Sequence, residues 1–274
     1  MKTKVFYPVK SIFRQQLIFL MIILSSVLVK AQYLTDIDGN QYRTITIGKQ
    51  IWMAENLKVT RYNDGTPIPL ITENAEWGDL TSHGYCYFNN SIEKYGNIYG
   101  ALYNWHVVES GKICPKGWHV PSSEEWNVLC NRYGGRFAAG NMLKETGNLH
   151  WIKKPNDLDE YEYGYEYDYY NEEFDEYLGN ERFSDPSLTK ETYTNNDNAA
   201  NLSFNALPGA LRFSNGNFIK DYYSQIGFYG YWWSSTSNSE THAKAISLSY
   251  LDAIVHNKNN NKKKGHSIRC IKDN

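Results

Sequence analysis

The feature that most constrains this chain is its N-terminal leader. A basic start is followed by an apolar run from Leu17 to Val29 and by the small residue Ala31 before Gln32. The basic residues of the start are Lys2, Lys4, Lys10 and Arg14. This order is typical of a secretory signal peptide, so we predict that residues 1–31 are removed by cleavage near Ala31. An uncleaved membrane anchor is the alternative, although the run is shorter than the ~20 apolar residues that span a bilayer.

Cleavage would leave residues 32–274 as the part of the chain that folds. This length is sufficient for one domain with its own core, and we expect a single domain. No second long apolar run follows the leader. We therefore expect a mature chain without a transmembrane segment that is secreted, periplasmic or displayed on a bacterial cell surface.

Four cysteines lie after the leader, at Cys86, Cys114, Cys130 and Cys270. An even number of cysteines in an exported chain favours two disulfides, for which three pairings are possible. The spacing contains no Cys-x-x-Cys pair of the kind that holds structural zinc, so we expect no metal site.

The composition favours a compact, turn-rich β protein over a disordered chain. Aromatic residues make up 15% of the sequence, with 23 tyrosines and 8 tryptophans, while the mean hydropathy is −0.60. The formal net charge of −2 falls to about −7 when the five basic residues of the leader are removed. Because there is no basic helix and no basic stripe interleaved with aromatic residues, we expect no nucleic-acid partner.

The first predicted element is an N-terminal hairpin over residues 35–56. Apolar residues alternate there around an Asp38-Gly39-Asn40 turn. The run from Asp36 partly matches a calcium-binding loop, but Gln41 occupies the position that requires glycine. We therefore interpret it as a tight turn.

A helix is predicted from about Ser123 to Arg132, because Ser122 and Glu125 have the spacing of a capping box. Strand structure is predicted at residues 204–218, with a hairpin turn at Asn215-Gly216, and further strands at 229–235, 243–249 and 266–271. Neighbouring side chains in a strand point to opposite faces, so Trp232 and Trp233 cannot both enter one core. One of them should face a second layer, a loop or a ligand.

Two segments have unusual polar composition. Acidic residues and tyrosines alternate through an insertion at about 157–182, and residues 257–264 are rich in asparagine and lysine. We interpret both as solvated surface loops, the second as a turn between strands. An alternative is that the two loops attract each other, which exposed ion pairs would support only weakly.

Motifs that carry chemistry are missing. The sequence has no Gly-x-Ser-x-Gly elbow, no His-Glu-x-x-His, no phosphate-binding loop and no dinucleotide fingerprint. His119, within Gly-Trp-His-Val-Pro, is interpreted as a packed structural histidine. We therefore expect no catalytic residues and no cofactor, and a protein that is not an enzyme.

Several motifs resemble those of one family along nearly the whole mature chain. They include IWMAENL at 51–57, YGALYNW at 99–105, CPKGWHVPS at 114–122, YWWSST at 231–236 and GHSIRC at 265–270. Further matching stretches lie at 35–42, 60–69 and 204–209. Together they closely resemble the Fibrobacter succinogenes major paralogous domain family, from which the acidic stretch departs as an insertion.

This resemblance implies an exported bacterial protein with an α+β, C-type-lectin-like fold. Such a fold has short, mostly antiparallel strands, one or two helices and long loops, and one of its branches is used by formylglycine-generating enzymes. The calcium-site signatures of sugar-binding lectins are absent from this sequence. The paired copper-binding cysteines of the oxidases have no evident counterpart.

The resemblance also favours one pairing of the cysteines. The family pattern implies Cys86 with Cys270, which leaves Cys114 with Cys130. In lectin-like folds a helix cysteine often joins the last strand, so the alternative is Cys130 with Cys270.

The leading hypothesis from the sequence is a non-catalytic surface or secreted module that binds a glycan or an extracellular protein through loops of the lectin-like fold. Its candidate ligand-binding residues are Trp151, Tyr231, Trp232 and Trp233, whose flat rings suit stacking. The first alternative is a structural or assembly domain of the cell envelope without a small ligand. The second is an oxidase of the formylglycine-generating type, which would need at least two free, reactive thiols.

Overall fold

The computed structural model describes residues 33–147, 149–153, 203–221 and 224–273. These residues belong to one compact unit, Tyr33–Asn274. The predicted signal peptide (1–31) and the acidic insertion (157–182) lie outside the described residues. Among the helices that the structure describes, none has the length and apolar character needed to cross a membrane.

The described part of the chain is a mixed α+β protein built from short elements. Its strands are β1 (Tyr33–Thr35), β2 (Gln41–Ile47), β3 (Gln50–Met53), β4 (Tyr85–Cys86), β5 (Leu102–Tyr103), β6 (Trp118–His119), β7 (Tyr229–Ser237), β8 (His242–Ser249), β9 (Val255–Asn261) and β10 (Ile271–Lys272). Its α-helices are α1 (Asn74–Asp79), α2 (Asn97–Tyr99), α3 (Trp105–Glu109), α4 (Ser123–Asn131) and α5 (Ala139–Leu143). A 3-10 turn at Phe88–Asn90 and a π turn at Ile92–Gly96 lie between β4 and α2. The strand pairs within the three sheets are antiparallel.

The first sheet brings the two ends of the described chain together. Its strand order is β1-β2-β3-β10-β6. Ile271 of β10 pairs with Trp52 of β3 on one side and with His119 of β6 on the other. The last strand therefore lies inside the sheet, held by segments far away in the sequence.

The predicted N-terminal hairpin is confirmed and extends to three strands. Asp36 closes its first turn, since one carboxylate oxygen accepts from the backbone N–H groups of Asp38 and Asn40, each at 2.9 Å. Its other oxygen accepts from the buried Tyr42 hydroxyl at 2.7 Å. This is the tight turn that we predicted, with the carboxylate used by the protein itself.

The predicted capped helix is also confirmed, as α4. The Ser122 hydroxyl accepts from the backbone N–H of Glu125, and the Glu125 carboxylate accepts from the backbone N–H of Ser122 at 2.8 Å. Trp126, Leu129 and Cys130 are buried on its inner face.

The second large sheet, β7-β8-β9, is covered on both faces. Trp233 packs in a core with Tyr103 and Trp105, while Trp232 packs in a separate core with Trp52 and Trp126. Adjacent strand residues point to opposite faces, and here each face has a core of its own. Both tryptophans are therefore buried.

Residues 204–218 contain the predicted turn at Asn215-Gly216, where the N–H of Gly216 donates to the Phe213 carbonyl at 3.0 Å, but they do not form a continuous strand. Ala206 bridges to Lys144, Ala210 to Gly230, and Arg212 to Gly265. Because its partners come from three separate parts of the chain, the segment makes isolated bridges and no continuous ladder forms.

The asparagine- and lysine-rich segment is a strand for much of its length, where a turn was predicted. β9 pairs with β8 from Val255, opposite Leu248, to Asn261, opposite His242. A ladder uses backbone groups, so a polar sequence can join it when a neighbouring strand fixes the register.

A disulfide is present as predicted, but the predicted pairings and the predicted number of two are wrong. The disulfide joins Cys114 to Cys270, whereas Cys86 and Cys130 are free and buried. Cys270 directly precedes β10, and Cys114 lies at the turn before β6, where the N–H of Trp118 donates to the Pro115 carbonyl; the Cα atoms of the two cysteines are 6.0 Å apart. Cys86 lies instead in β4, which pairs with β5, and Cys130 faces inward from α4.

Candidate functional site

The four aromatic residues predicted to bind a ligand do not form one surface. The Trp232 indole N–H donates to Asn56 Oδ1 at 2.8 Å, and that of Trp233 donates to the Tyr103 carbonyl at 2.7 Å. With exposures of 1% and 0%, both rings are core residues and offer no face to a ligand. The prediction fails for this pair because each side of β7 packs against a core of its own.

Tyr231 and Trp151 occupy different surroundings. Tyr231 is half-buried, and its ring stacks on the buried His266 with centroids 5.3 Å apart. Trp151 is 6% exposed, and its indole N–H donates to the Ala206 carbonyl at 2.8 Å. Trp151 also borders a cleft.

This cleft, which we call the Lys144 cleft, lies beside α5 and encloses about 420 Å³. Its lining combines two aromatic rings, one aliphatic side chain, two lysines, one carboxylate and one amide. The lining residues are Asn141, Lys144, Glu145, Gly147, Trp151, Ile152, Lys153 and Tyr250.

Backbone hydrogen bonds hold the walls of the Lys144 cleft in place. On one side, the backbone N–H of Glu145 donates to the Ala206 carbonyl at 3.0 Å. On the other side, the N–H of Ile152 donates to the Gly227 carbonyl at 3.0 Å, and the N–H of Tyr250 donates to the Phe228 carbonyl at 2.9 Å. The cleft thus lies where the chain after α5 meets the start of β7 and the end of β8.

The carboxylate of the cleft is engaged within the protein. His150 Nδ1 lies 2.9 Å from both oxygens of Glu145. The Tyr99 ring meets the His150 ring edge-on, with centroids 5.6 Å apart. These contacts fix the orientation of Glu145 and use much of its capacity to accept hydrogen bonds.

The lysine side chains of the cleft make fewer hydrogen bonds than the Glu145 carboxylate. Lys144 is half-buried, donates to the Asp252 carbonyl at 2.6 Å and lies 5.2 Å from the centre of the Trp151 ring. Burial lowers its pKa, an effect that the nearby Asp252 opposes. Lys153 and Asn141 are exposed, and their side chains make no hydrogen bond or ion pair with any residue in the described ranges.

The polar and apolar groups of the cleft are arranged in a way that suits ligand binding. Ammonium and amide donors stand beside aromatic and aliphatic surface, which is the mixture found in small-ligand sites. Within the described residues, no three histidine, cysteine or acidic side chains come together as a set that could hold a metal ion.

Sequence reasoning missed most of this site. It selected Trp151 for its ring, but not Lys144, Glu145 or His150, which carry the polar contacts. The His150-Trp151 pair beside the acidic insertion was the local signal that could have directed attention there. The contribution of Tyr250 had no such signal, since this residue follows β8, about a hundred residues later in the chain.

Comparison with known proteins gives a family but no relative of established function. No curated protein matches the chain, and no solved structure does. The family model for the Fibrobacter succinogenes major domain matches residues 45–272, which is well over half of the chain. The match includes every residue that lines the Lys144 cleft, as well as both disulfide cysteines. The chain therefore belongs to the Fibrobacter succinogenes major domain family.

Proposed function

We propose that this chain is an exported, non-catalytic binding module of the bacterial cell envelope that holds a glycan in the Lys144 cleft. The observation that carries the proposal is the composition of the cleft. Tyr250 and Ile152 supply apolar surface, and Asn141, Lys144 and Lys153 supply polar donors around it. Sugars present C–H faces and hydroxyl groups together, so they pair with this mixture.

A lectin-like arrangement of the fold is part of the proposal. Its support is the sheet in which β10, at the end of the chain, pairs between β3 and β6. Loops and isolated bridges connect that sheet to β7-β8-β9, and the cleft is built from these connections. Loops held by a rigid scaffold are common places for binding sites.

Export is supported by the leader and by the disulfide. Disulfides persist in oxidising compartments outside the cytoplasm, and the Cys114–Cys270 bond fits such a location. A secreted, periplasmic or surface-displayed protein would meet envelope glycans directly.

The oxidase alternative has little support from the free thiols. Cys86 and Cys130 lie in separate buried clusters, so they do not form a pair. Burial raises the pKa of Cys86 to about 12 and that of Cys130 to about 11. A reactive thiol needs the opposite shift, because the thiolate is the species that reacts.

A glycan array tests the proposal. The mature chain, residues 32–274, is labelled and screened, and Asn141→Ala is compared with the matched variant Asn238→Ala. Asn238 is exposed but does not line the cleft. We expect Asn141→Ala to weaken binding of the recognised glycan and Asn238→Ala to leave it unchanged, with equal melting temperatures. If no glycan binds to the folded wild-type protein, the structural role in the envelope replaces this proposal.

A further inference from the structure

From the polar groups of the Lys144 cleft, and resting on the proposed function, we infer the class of its ligand: a glycan that carries carboxylate groups, such as a chain of uronic acids. The inference depends on which polar groups of the cleft are already used and which are available.

The available groups are mainly positively charged donors. An ammonium group has three N–H donors, and Lys144 uses one of them on the Asp252 carbonyl at 2.6 Å. The three N–H donors of Lys153 meet no acceptor among the described residues. The Asn141 amide likewise has no partner there. A ligand in the cleft would therefore meet two ammonium groups with unused donors.

The acidic groups near the cleft are engaged elsewhere. Glu145 holds His150 through both of its oxygens at 2.9 Å. The Asp252 carboxylate accepts from the backbone N–H of Ile254 at 2.9 Å and faces His256 at 3.4 Å. Both carboxylates have partners within the protein, so the groups of the cleft with unused donors are the Lys144 and Lys153 ammonium groups and the Asn141 amide.

A carboxylate is the natural complement of this arrangement. Hydrogen bonds between ammonium and carboxylate groups are stronger than those between neutral groups. The Tyr250 ring and the Ile152 side chain would contact the C–H face of the sugar that carries the carboxylate. A volume of about 420 Å³ is within the ~300–1,000 Å³ range of small-ligand sites, enough for a short stretch of a polysaccharide.

Isothermal titration of the mature chain with a galacturonic acid trisaccharide tests the inference. The matched probe is the same trisaccharide as its methyl ester, which keeps the sugar rings and removes the charge. We expect the acid to bind at least about tenfold more tightly than the ester at low salt, with the difference shrinking as salt screens the charges.

Substitutions of single lysines test which side chains recognise the carboxylate. Lys153→Gln should weaken binding of the acid about tenfold and leave binding of the ester unchanged. Lys144→Gln should act in the same direction, with its melting temperature measured because the side chain is half-buried. Lys116→Gln is the control, since Lys116 is exposed on the turn before β6 and does not line the cleft.

The outcomes separate this inference from the proposed function. Equal binding of acid and ester, unaffected by Lys153→Gln, would overturn the carboxylate assignment but keep a glycan site. Binding of neither trisaccharide would overturn the inference, and the array would then decide the proposed function independently. A synthetic peptide of residues 157–182 is the last probe. If it binds the cleft in preference to the acid trisaccharide, the ligand is an acidic peptide and the glycan assignment is wrong.

Discussion

At the scale of single residues, His119 lies between two carboxylates. Its Nδ1 is 2.6 Å from Asp273 Oδ1, and its Nε2 is 2.8 Å from Glu125 Oε1. A neutral imidazole has one N–H, so only the protonated ring can donate to both partners. Burial opposes the charge, but the hydrogen bonds to Asp273 and Glu125 prevail and raise the pKa of His119. The histidine predicted to be structural thus links the last described residue to the start of α4.

This geometry predicts a pH-dependent contribution of His119 to stability. A pKa that is higher in the folded state means that the contribution is fully present below the unfolded pKa, near 6.5, and is lost as pH rises through the folded value. We expect His119→Asn to destabilise the protein by up to ~1 kcal/mol at pH 6, because the site is partly exposed. Urea unfolding of both proteins at pH 6 and pH 9 measures the difference. A difference that stays constant between these pH values would contradict the protonated link.

A second residue-scale prediction concerns Arg269, which is fully buried. Its guanidinium donates to Asn56 Oδ1 at 2.9 Å, to the Asn205 carbonyl at 2.8 Å and to the Phe204 carbonyl. Burial lowers its pKa to about 9. An ammonium group cannot reproduce this planar set of donors.

We therefore expect Arg269→Lys to destabilise the protein by ~2–4 kcal/mol, since buried acceptors lose their donors. Chemical unfolding measures the change, and Arg132→Lys on the exposed end of α4 is the control. A loss no larger than that of the control would show that residues 204–205 do not depend on the guanidinium.

At the scale of elements, α4 is stabilised locally and β9 is not. The capping box at Ser122 and Glu125 satisfies backbone groups within four residues of sequence, which is why the helix could be predicted. The ladder of β9 depends on β8, and nothing in an asparagine- and lysine-rich run specifies such a partner. This is why a turn was predicted where a strand is found.

The cap gives an element-scale prediction. Ser122→Ala removes the hydroxyl that accepts from the Glu125 N–H, and we expect a loss of ~1 kcal/mol in the free energy of unfolding. Ser235→Ala, at an exposed position of β7, should change it by less than ~0.5 kcal/mol. Equal effects of the two substitutions in thermal or urea unfolding would mean that the cap contributes little.

At the scale of the whole molecule, the Cys114–Cys270 disulfide closes a loop with a sequence separation of 156. A cross-link over so long a loop restricts the unfolded chain strongly, by ~4–5 kcal/mol in the loop-entropy model, although measured values are commonly ~2–4 kcal/mol. The bond also joins the two segments that hold β6 and β10 in the first sheet.

This pairing predicts specific results in thiol chemistry. The native mature protein should show no rapidly reacting thiol, and the denatured, unreduced protein should show two, because Cys86 and Cys130 are free and buried. Peptide mapping without reduction should give a Cys114–Cys270 linked peptide. A Cys86–Cys270 peptide would contradict the structure.

Cys114→Ser should destabilise the protein by ~2–4 kcal/mol.

The sequence alone determined the features whose interactions are local. The Asp38-Gly39 turn, the cap of α4 and the aromatic and apolar runs of β7 and β8 depend on hydrogen bonds and residue patterns within a few residues. The resemblance of the motifs also gave the family, which the match over 45–272 confirms.

Only the tertiary structure decided which distant groups meet. Whether Cys270 pairs with Cys86, Cys114 or Cys130 depends on where β10 enters the sheet, and whether Trp232 is exposed depends on what covers the second face of β7. The Lys144 cleft likewise joins Lys144 and Trp151 to Tyr250, which directly follows β8. The physical reason is that a long-range contact is the outcome of packing the whole chain, and local sequence does not encode which partner will be nearby.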